Sequence, residues 1–347
     1  MKQLFNPETP ETISLEVDWS PVWEVILGIS GYTHEQLRHT FDMDKNWSFN
    51  KDSMPSSLIE NLHEITETNF WHGLIMLQNR LSASTIQEFS NGLTELAIDC
   101  FYEILLPYKS RDIEPVRKET AQRYNESQSF EKYSSYFEGH EFLGGYIRSL
   151  GQYSYQKICD LSVNTIEGWY NWISKRQEWE KWTQALEFEQ KQNRSLDLTK
   201  PIEQIEKVTG GVKYHPEPSV WTVKMIPHVS YRPWLLEKRT PDTKIFFYPL
   251  KEEYLTEPGI PPTGLVSGHK ALGDELRLKL LYQLVKGPLS LQELSVQFNT
   301  SKTTLHHQLS LLKAAKFVQV EKGIYSVNYA QINSFSERLT QYLGVKK

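Results

Sequence analysis

The chain has 347 residues, 39% hydrophobic, 23% charged and 12% aromatic, with a formal net charge of −5. This length and composition suit two or three folded domains. No run approaches the ~20 apolar residues of a membrane span, residues 1–8 lack the apolar stretch of a secretory signal, and the two cysteines, Cys100 and Cys159, suggest no disulfide framework. A cytoplasmic protein without membrane partners is therefore expected.

In chain order, loose alternation of Ile13, Leu15, Val17 and Trp19 predicts a strand. Pro21 opens a helix-like stretch that ends at Gly28. Residues 57–81 and 84–106 read as helices. In the second, Ile86, Phe89, Leu93, Leu96, Ala97, Cys100 and Ile104 recur at steps of three or four, which places Cys100 in the core, and Pro107 stops the run. Residues 114–137 form a further helix, rich in charge and Tyr. The longest helix expected runs over about 162–195, capped by Ser162 or Asn164, with Trp169, Trp172, Trp179, Trp182 and Leu186 on one face.

Past Pro201 prolines become frequent, and residues 220–226 and 244–248 are the best strand candidates, with Pro241-Asp242-Thr243 as a turn between strand-like arms. Residues 258–264, rich in Pro and Gly, read as a linker. The expected fold is mainly α with a smaller β segment. A helical body over 1–200 precedes a strand-containing segment over 201–264 and a C-terminal module over 265–347.

Charge divides the chain in the same way. Residues 265–328 carry eight Lys or Arg against four Asp or Glu, a balance of +4; the tail after Asn328 adds +2, which leaves −11 for residues 1–264. A basic module on an acidic body suits a polyanion bound at one end only.

Within the module, Leu272, Leu276, Leu280, Leu281 and Leu284 give a helix that Gly287-Pro288 breaks. Ser290 caps a second helix with Leu291, Leu294 and Phe298 facing inward. Phe298-Asn299-Thr300 is a turn of helix-turn-helix length. Ser301 caps a third helix, in which Leu305, Leu309 and Leu312 face the core. Its other edge carries Lys302, Thr303, His306, Ser310 and Lys313, with Thr304 and His307 at the margins. Such an edge is either a solvated face or a surface that reads base edges in a major groove. Val318 and Val320 alternate with Gln319 and Glu321, Lys322-Gly323 turns the chain, and Tyr325 and Val327 return it. That is a β-wing with Lys322 at its tip, placed to meet a phosphate.

These residues resemble the ArsR-type winged helix-turn-helix of bacterial transcription regulators. The resemblance rests on Ala271-Leu-Gly-Asp-Glu-Leu-Arg277, Leu291-Gln-Glu-Leu294, Ser301-Lys-Thr-Thr304, Leu309-Ser-Leu-Leu312 and Ala315-Lys-Phe-Val318, over roughly residues 268–328. It also extends loosely to longer regulators of the group with a large N-terminal domain. It implies a homodimer on double-stranded DNA, with Ser301, Lys302, Thr303, Thr304, His306 and His307 at base edges or nearby phosphates and Gln308 and Lys322 on the backbone. Metal-sensing members carry a Cys-x-Cys pair in the helix before the recognition helix; here Leu294-Ser-Val-Gln-Phe298 has no cysteine, so no metal site is expected there. The family usually has Gly at Lys316, a left-handed helix stop, and often Arg at His307 and His at Gln308. Ile332, Phe335, Leu339 and Tyr342 form a terminal amphipathic stripe, suited either to dimerisation or to packing inside the module.

No catalytic motif is present, and neither an enzyme nor a cofactor is expected. His34 and His39 stand five apart, one too many for a zinc-protease helix. Tyr133, Tyr136, Phe137, Phe142, Tyr146, Tyr153 and Tyr155 crowd one stretch of the body. They form either an aromatic core or a pocket for a small organic effector. The sequence thus points to a DNA-binding regulator, possession of an effector being open. The alternative is a protein-interaction or scaffold protein whose winged helix no longer binds DNA.

Overall fold

A computed structural model of the chain describes residues 13–34, 38–44, 47, 51–194, 196–255 and 261–343. The expectation for residues 1–8, part of the linker, residues 35–37 of the His34–His39 motif and the final lysines lie outside the described residues. Among those described are sixteen α-helices and seven strands, so the fold is mainly α with small sheets. None of these helices is long and apolar enough to cross a membrane. The chain forms two compact units: residues up to Gln204 with His215–Leu250, and Ile205–Tyr214 with the residues from Lys251 onward.

In the larger unit β1 (Ser14–Val17) leads into α1 (Pro21–Thr33), which has Pro in its first turn. Every residue from Val22 to Thr33 is buried, because the segment is apolar around its whole circumference. The helix continues through Gly28. A Cβ there would lie 2.7 Å from Trp169 Nε1, so this glycine permits close helix packing and does not act as a stop.

Four helices expected in the body are each broken in two. Asn69 at φ 56° separates α2 (Ser56–Thr68) from α3 (Trp71–Leu81), a left-handed position that Asn tolerates. Extended Leu96 and Ala97 separate α4 (Ile86–Glu95) from α5 (Ile98–Leu105). That break resets the helical phase, so Phe101, Tyr102 and Leu105 turn inward and Cys100 is exposed, whereas Cys159 is buried. The run expected over 114–137 becomes α6 (Glu114–Gln122) and α7 (Ser127–Ser134).

After α8 (Leu143–Leu150), the Trp-rich stretch forms α9 (Tyr155–Ile173) and α10 (Gln177–Gln192). Ser154, not Ser162 or Asn164, caps α9 by accepting from Lys157 N–H at 3.2 Å. Glu178 and Glu180 favour the new start at α10. Trp169, Trp172, Trp179 and Trp182 are all buried, as their spacing suggests. The Tyr cluster supplies core as well: buried Tyr133 and Tyr146 donate their hydroxyls to Pro107 O at 2.7 Å and Leu105 O at 3.0 Å.

The strand segment shares a sheet with the N-terminus. β2 (Thr222–His228), β3 (Leu236–Arg239) and β4 (Thr243–Pro249) join β1 in the order β1-β2-β4-β3. β1–β2 and β2–β4 are parallel, and β3–β4 is an antiparallel hairpin closed at Thr240–Asp242. Glu24, the acidic residue of α1, anchors the sheet end. Its carboxyl accepts from Val229 N–H at 3.1 Å, Ser230 N–H at 2.6 Å and Ser230 Oγ at 2.6 Å. Burial raises its pKa, while the bonds from Ser230 and Val229 oppose that rise.

Helix α11 (Pro201–Thr209) precedes β2. The smaller unit then runs α12 (Thr263–Leu272), α13 (Glu275–Lys286), β5 (Leu289–Ser290), α14 (Leu291–Phe298), α15 (Lys302–Ala314), β6 (Val318–Glu321), β7 (Ile324–Val327) and α16 (Tyr329–Tyr342). Its sheet has the order β5-β7-β6. Leu280, Leu284, Leu294, Leu305, Leu309, Leu312 and Phe317 form its core. Phe335 of α16 is buried in that core, and Ile332, Leu339 and Tyr342 pack against it, so the terminal stripe is engaged within its own module.

Candidate nucleic-acid interface

The helix-turn-helix is fixed at each junction by a local hydrogen bond. Asp274 caps α13 by accepting from Arg277 N–H at 3.0 Å. Ser290 and Glu293 form a capping box on α14; the Ser290 N–H and then its hydroxyl hold the Glu293 carboxyl below the usual range. Asn299 ends α14 in the left-handed region at φ 46°, and Thr300 N–H returns to Ser295 O at 3.2 Å. Ser301 then caps α15 by accepting from Thr304 N–H at 3.2 Å, while its hydroxyl lies 2.8 Å from that of Thr304.

Helix α15 has two chemically distinct sides. Leu305, Leu309 and Leu312 are each 0% exposed. Ser301, Lys302, Thr303, Thr304, His306, His307, Ser310 and Lys313 are all exposed. Three buried leucines fix the rotation of the helix about its axis, so the polar edge faces outward as a set. The first amides of any helix lack intrahelical acceptors; here Ser301 Oγ takes that of Thr304, and the exposed Lys302 and Thr303 stand at the same helix end. Such an edge offers donors and acceptors of the kind that read base edges, with a positive helix end suited to phosphate.

Gln308 occupies a different environment from its neighbours. It is half-buried, and its Oε1 accepts from Arg277 Nη1 at 2.8 Å. The same guanidinium donates through Nε to Ala271 O at 2.6 Å and through Nη2 to Lys270 O at 2.9 Å. Arg277 therefore joins the end of α12, its own helix α13 and the polar helix α15. In the sequence it is one of three cations in a leucine-rich helix, with Lys279 and Lys286, which gives no hint of three partners. Arg277→Met keeps the stem but removes these donors. It should destabilise the module by about 2 kcal/mol, since each neutral hydrogen bond contributes roughly 1 and those to charged groups more; loss of helical circular dichroism on heating measures this.

The wing pairs Val318↔Val327 and Val320↔Tyr325. Lys322 at φ 49° and Gly323 at φ 81° form its tip, two successive left-handed residues that match the twist of a tight hairpin. Lys322 is exposed there. Lys316 closes α15 at φ 62°, the left-handed stop that its position suggests, at roughly 1 kcal/mol relative to Gly. Among the described residues no group of three or more His, Cys, Asp or Glu is placed to hold a metal ion.

Residues 274–320 match the family model described as bacterial regulatory protein, arsR family. No curated protein and no solved structure matches the chain. The matched segment runs from the cap of α13 through α14 and α15 into the first wing strand. The chain therefore carries an arsR-type winged helix-turn-helix in its C-terminal part, behind a larger N-terminal region.

Proposed function

We propose that this protein is a DNA-binding transcriptional regulator that recognises an operator through α15 and the wing. The observation that carries the reading is the outward polar edge of α15, held by three fully buried leucines within a module of regulatory type. In this reading Lys302, Thr303, Thr304, His306 and His307 meet base edges and adjacent phosphates, with the Ser301 cap at the entry to the helix. The Gln308 side chain, steadied by Arg277, and Lys322 at the wing tip contact the backbone. Such a regulator acts beside the chromosome in the cytoplasm. As a homodimer it would take a two-fold operator with half-sites about one helical turn apart.

The test is direct. Genomic fragments that copurify with the protein are sequenced, and the recovered site is titrated at several salt concentrations. Lys302→Ala and Lys322→Ala should each weaken binding to all sequences and lower the salt slope by about 1, as loss of one phosphate contact requires. A tight, selective complex unchanged in both variants would remove these residues from the interface.

A further inference from the structure

In the larger unit, the end of α3, the outer side of α5 and the β3–β4 turn enclose a cleft of about 500 Å³. That volume is within the range of small-molecule sites, yet the lining is polar and rich in cations. Arg80, Lys224 and Arg239 contribute to it, with Asn79 and Asp242 beside them.

Several of these groups are incompletely satisfied. Arg80 is exposed and makes no ion pair among the described residues. Lys224 has its carboxylate partner, Glu16, only at 4.0 Å. Arg239 pairs through Nη1 with Glu217 at 2.8 Å and donates through Nη2 to Pro218 O at 2.7 Å. Its Nε, however, is buried without a hydrogen-bond partner, as is Asn79 Oδ1. Polar atoms without a partner are few in folded proteins, and these two belong to residues that line the cleft. Arg117 holds Glu103 and Glu114 at 3.0 and 2.7 Å, and Asp242, whose Oδ1 accepts from the Thr240 and Thr243 hydroxyls, keeps its negative charge; the lining still has four cations against two carboxylates. The surplus is therefore positive, and it stands beside one acceptor that lacks a donor.

We propose that this cleft binds a small hydroxylated oxyanion, its anionic group facing Arg80, Lys224 and Arg239 and a hydroxyl beside Asn79. A phosphate ester and a hydroxy acid share that chemistry. As an effector site the cleft rests on the regulator reading above; as a binding site it does not.

The experiment is thermal unfolding of the full chain with about 10 mM glycerol 3-phosphate, glycerate or glycerol, or NaCl at matched ionic strength. At roughly ten times its Kd a ligand should raise the melting temperature by about 3 °C, and the responding arm assigns phosphate or carboxylate. Glycerol and NaCl should give no comparable shift. Arg80→Gln and Lys224→Gln should each weaken the response about tenfold in concentration, and Arg80→Lys should restore part of it. The proposal is overturned if neither anion exceeds NaCl, or if both glutamine variants respond as the native chain does. No DNA is present in these melts, so their outcome is independent of operator binding.

Discussion

Acidification from pH 7 to 5 is expected to destabilise the larger unit by about 2 kcal/mol through His228, roughly 1.4 kcal/mol per pH unit below the normal titration point, with buried His72 acting in the same direction. His228 is 0% exposed and His72 5%. Burial, reinforced by nearby Arg232, pushes His228 down to about 3. Burial, with Lys238 and His140 adding to it, pushes His72 well below 6.5, and neither ring nitrogen of His72 has a hydrogen-bond partner. The unfolded chain takes up protons near pH 6.5, while the folded chain does not. Stability is therefore complete above that value and falls as pH drops toward the folded pKa, which for His228 places the window between 6.5 and about 3.

Glu24 acts in the opposite sense. Its pKa is raised in the folded state, so just above its ordinary value the folded chain takes up the extra proton and part of the loss is offset. All ten tryptophans lie within residues 19–234, none of them in the winged module, so tryptophan fluorescence during denaturant titration reads the larger unit. His72→Phe, which the rings of Phe142 and Tyr146 can accommodate, should lower the pH slope. A slope identical in the variant would refute the assignment.

Leu309→Ala should destabilise the winged module by about 3 kcal/mol and abolish high-affinity DNA binding, the central value for a leucine emptied from a packed core. Leu309 is 0% exposed and sits between Leu305 and Leu312 on the inner side of α15. His306 is exposed on the outer side of the same helix. His306→Ala should therefore leave stability within about 0.5 kcal/mol while relaxing base discrimination by about 1–3 kcal/mol, if it reads a base edge. Helical circular dichroism measures the first effect, and competition between operator and mismatched sites the second. A stable, fully selective Leu309→Ala protein would contradict the two-sided description of the helix.

The winged module was legible because each of its signals is local. Caps at Ser290 and Ser301, leucines at steps of three and four, and Lys322-Gly323 at the wing tip all act within a few residues, whereas the single helix expected over 272–284 is interrupted at Gly273, ahead of the Asp274 cap. The body was legible only in outline. Its tryptophan face is buried as expected, but the breaks at Asn69 and at Leu96–Ala97 carry no Pro or Gly. A continuous apolar stripe concealed the second break and misplaced Cys100. The parallel pairing of Ser14–Val17 with β2 spans about 200 residues, a distance at which alternation gives no register. The Arg80 cleft draws on α3, α5 and three strands, so only the folded chain brings its residues together.

The Arg277 guanidinium has a mechanical consequence. By tying two carbonyls of α12 and the side chain of Gln308 to one rigid fork, it suppresses independent movement of the reading helix against its scaffold. Any rearrangement of the module that keeps this fork intact moves α12, α13 and α15 together. Bending or tilting α15 alone would first require that fork to be pulled apart.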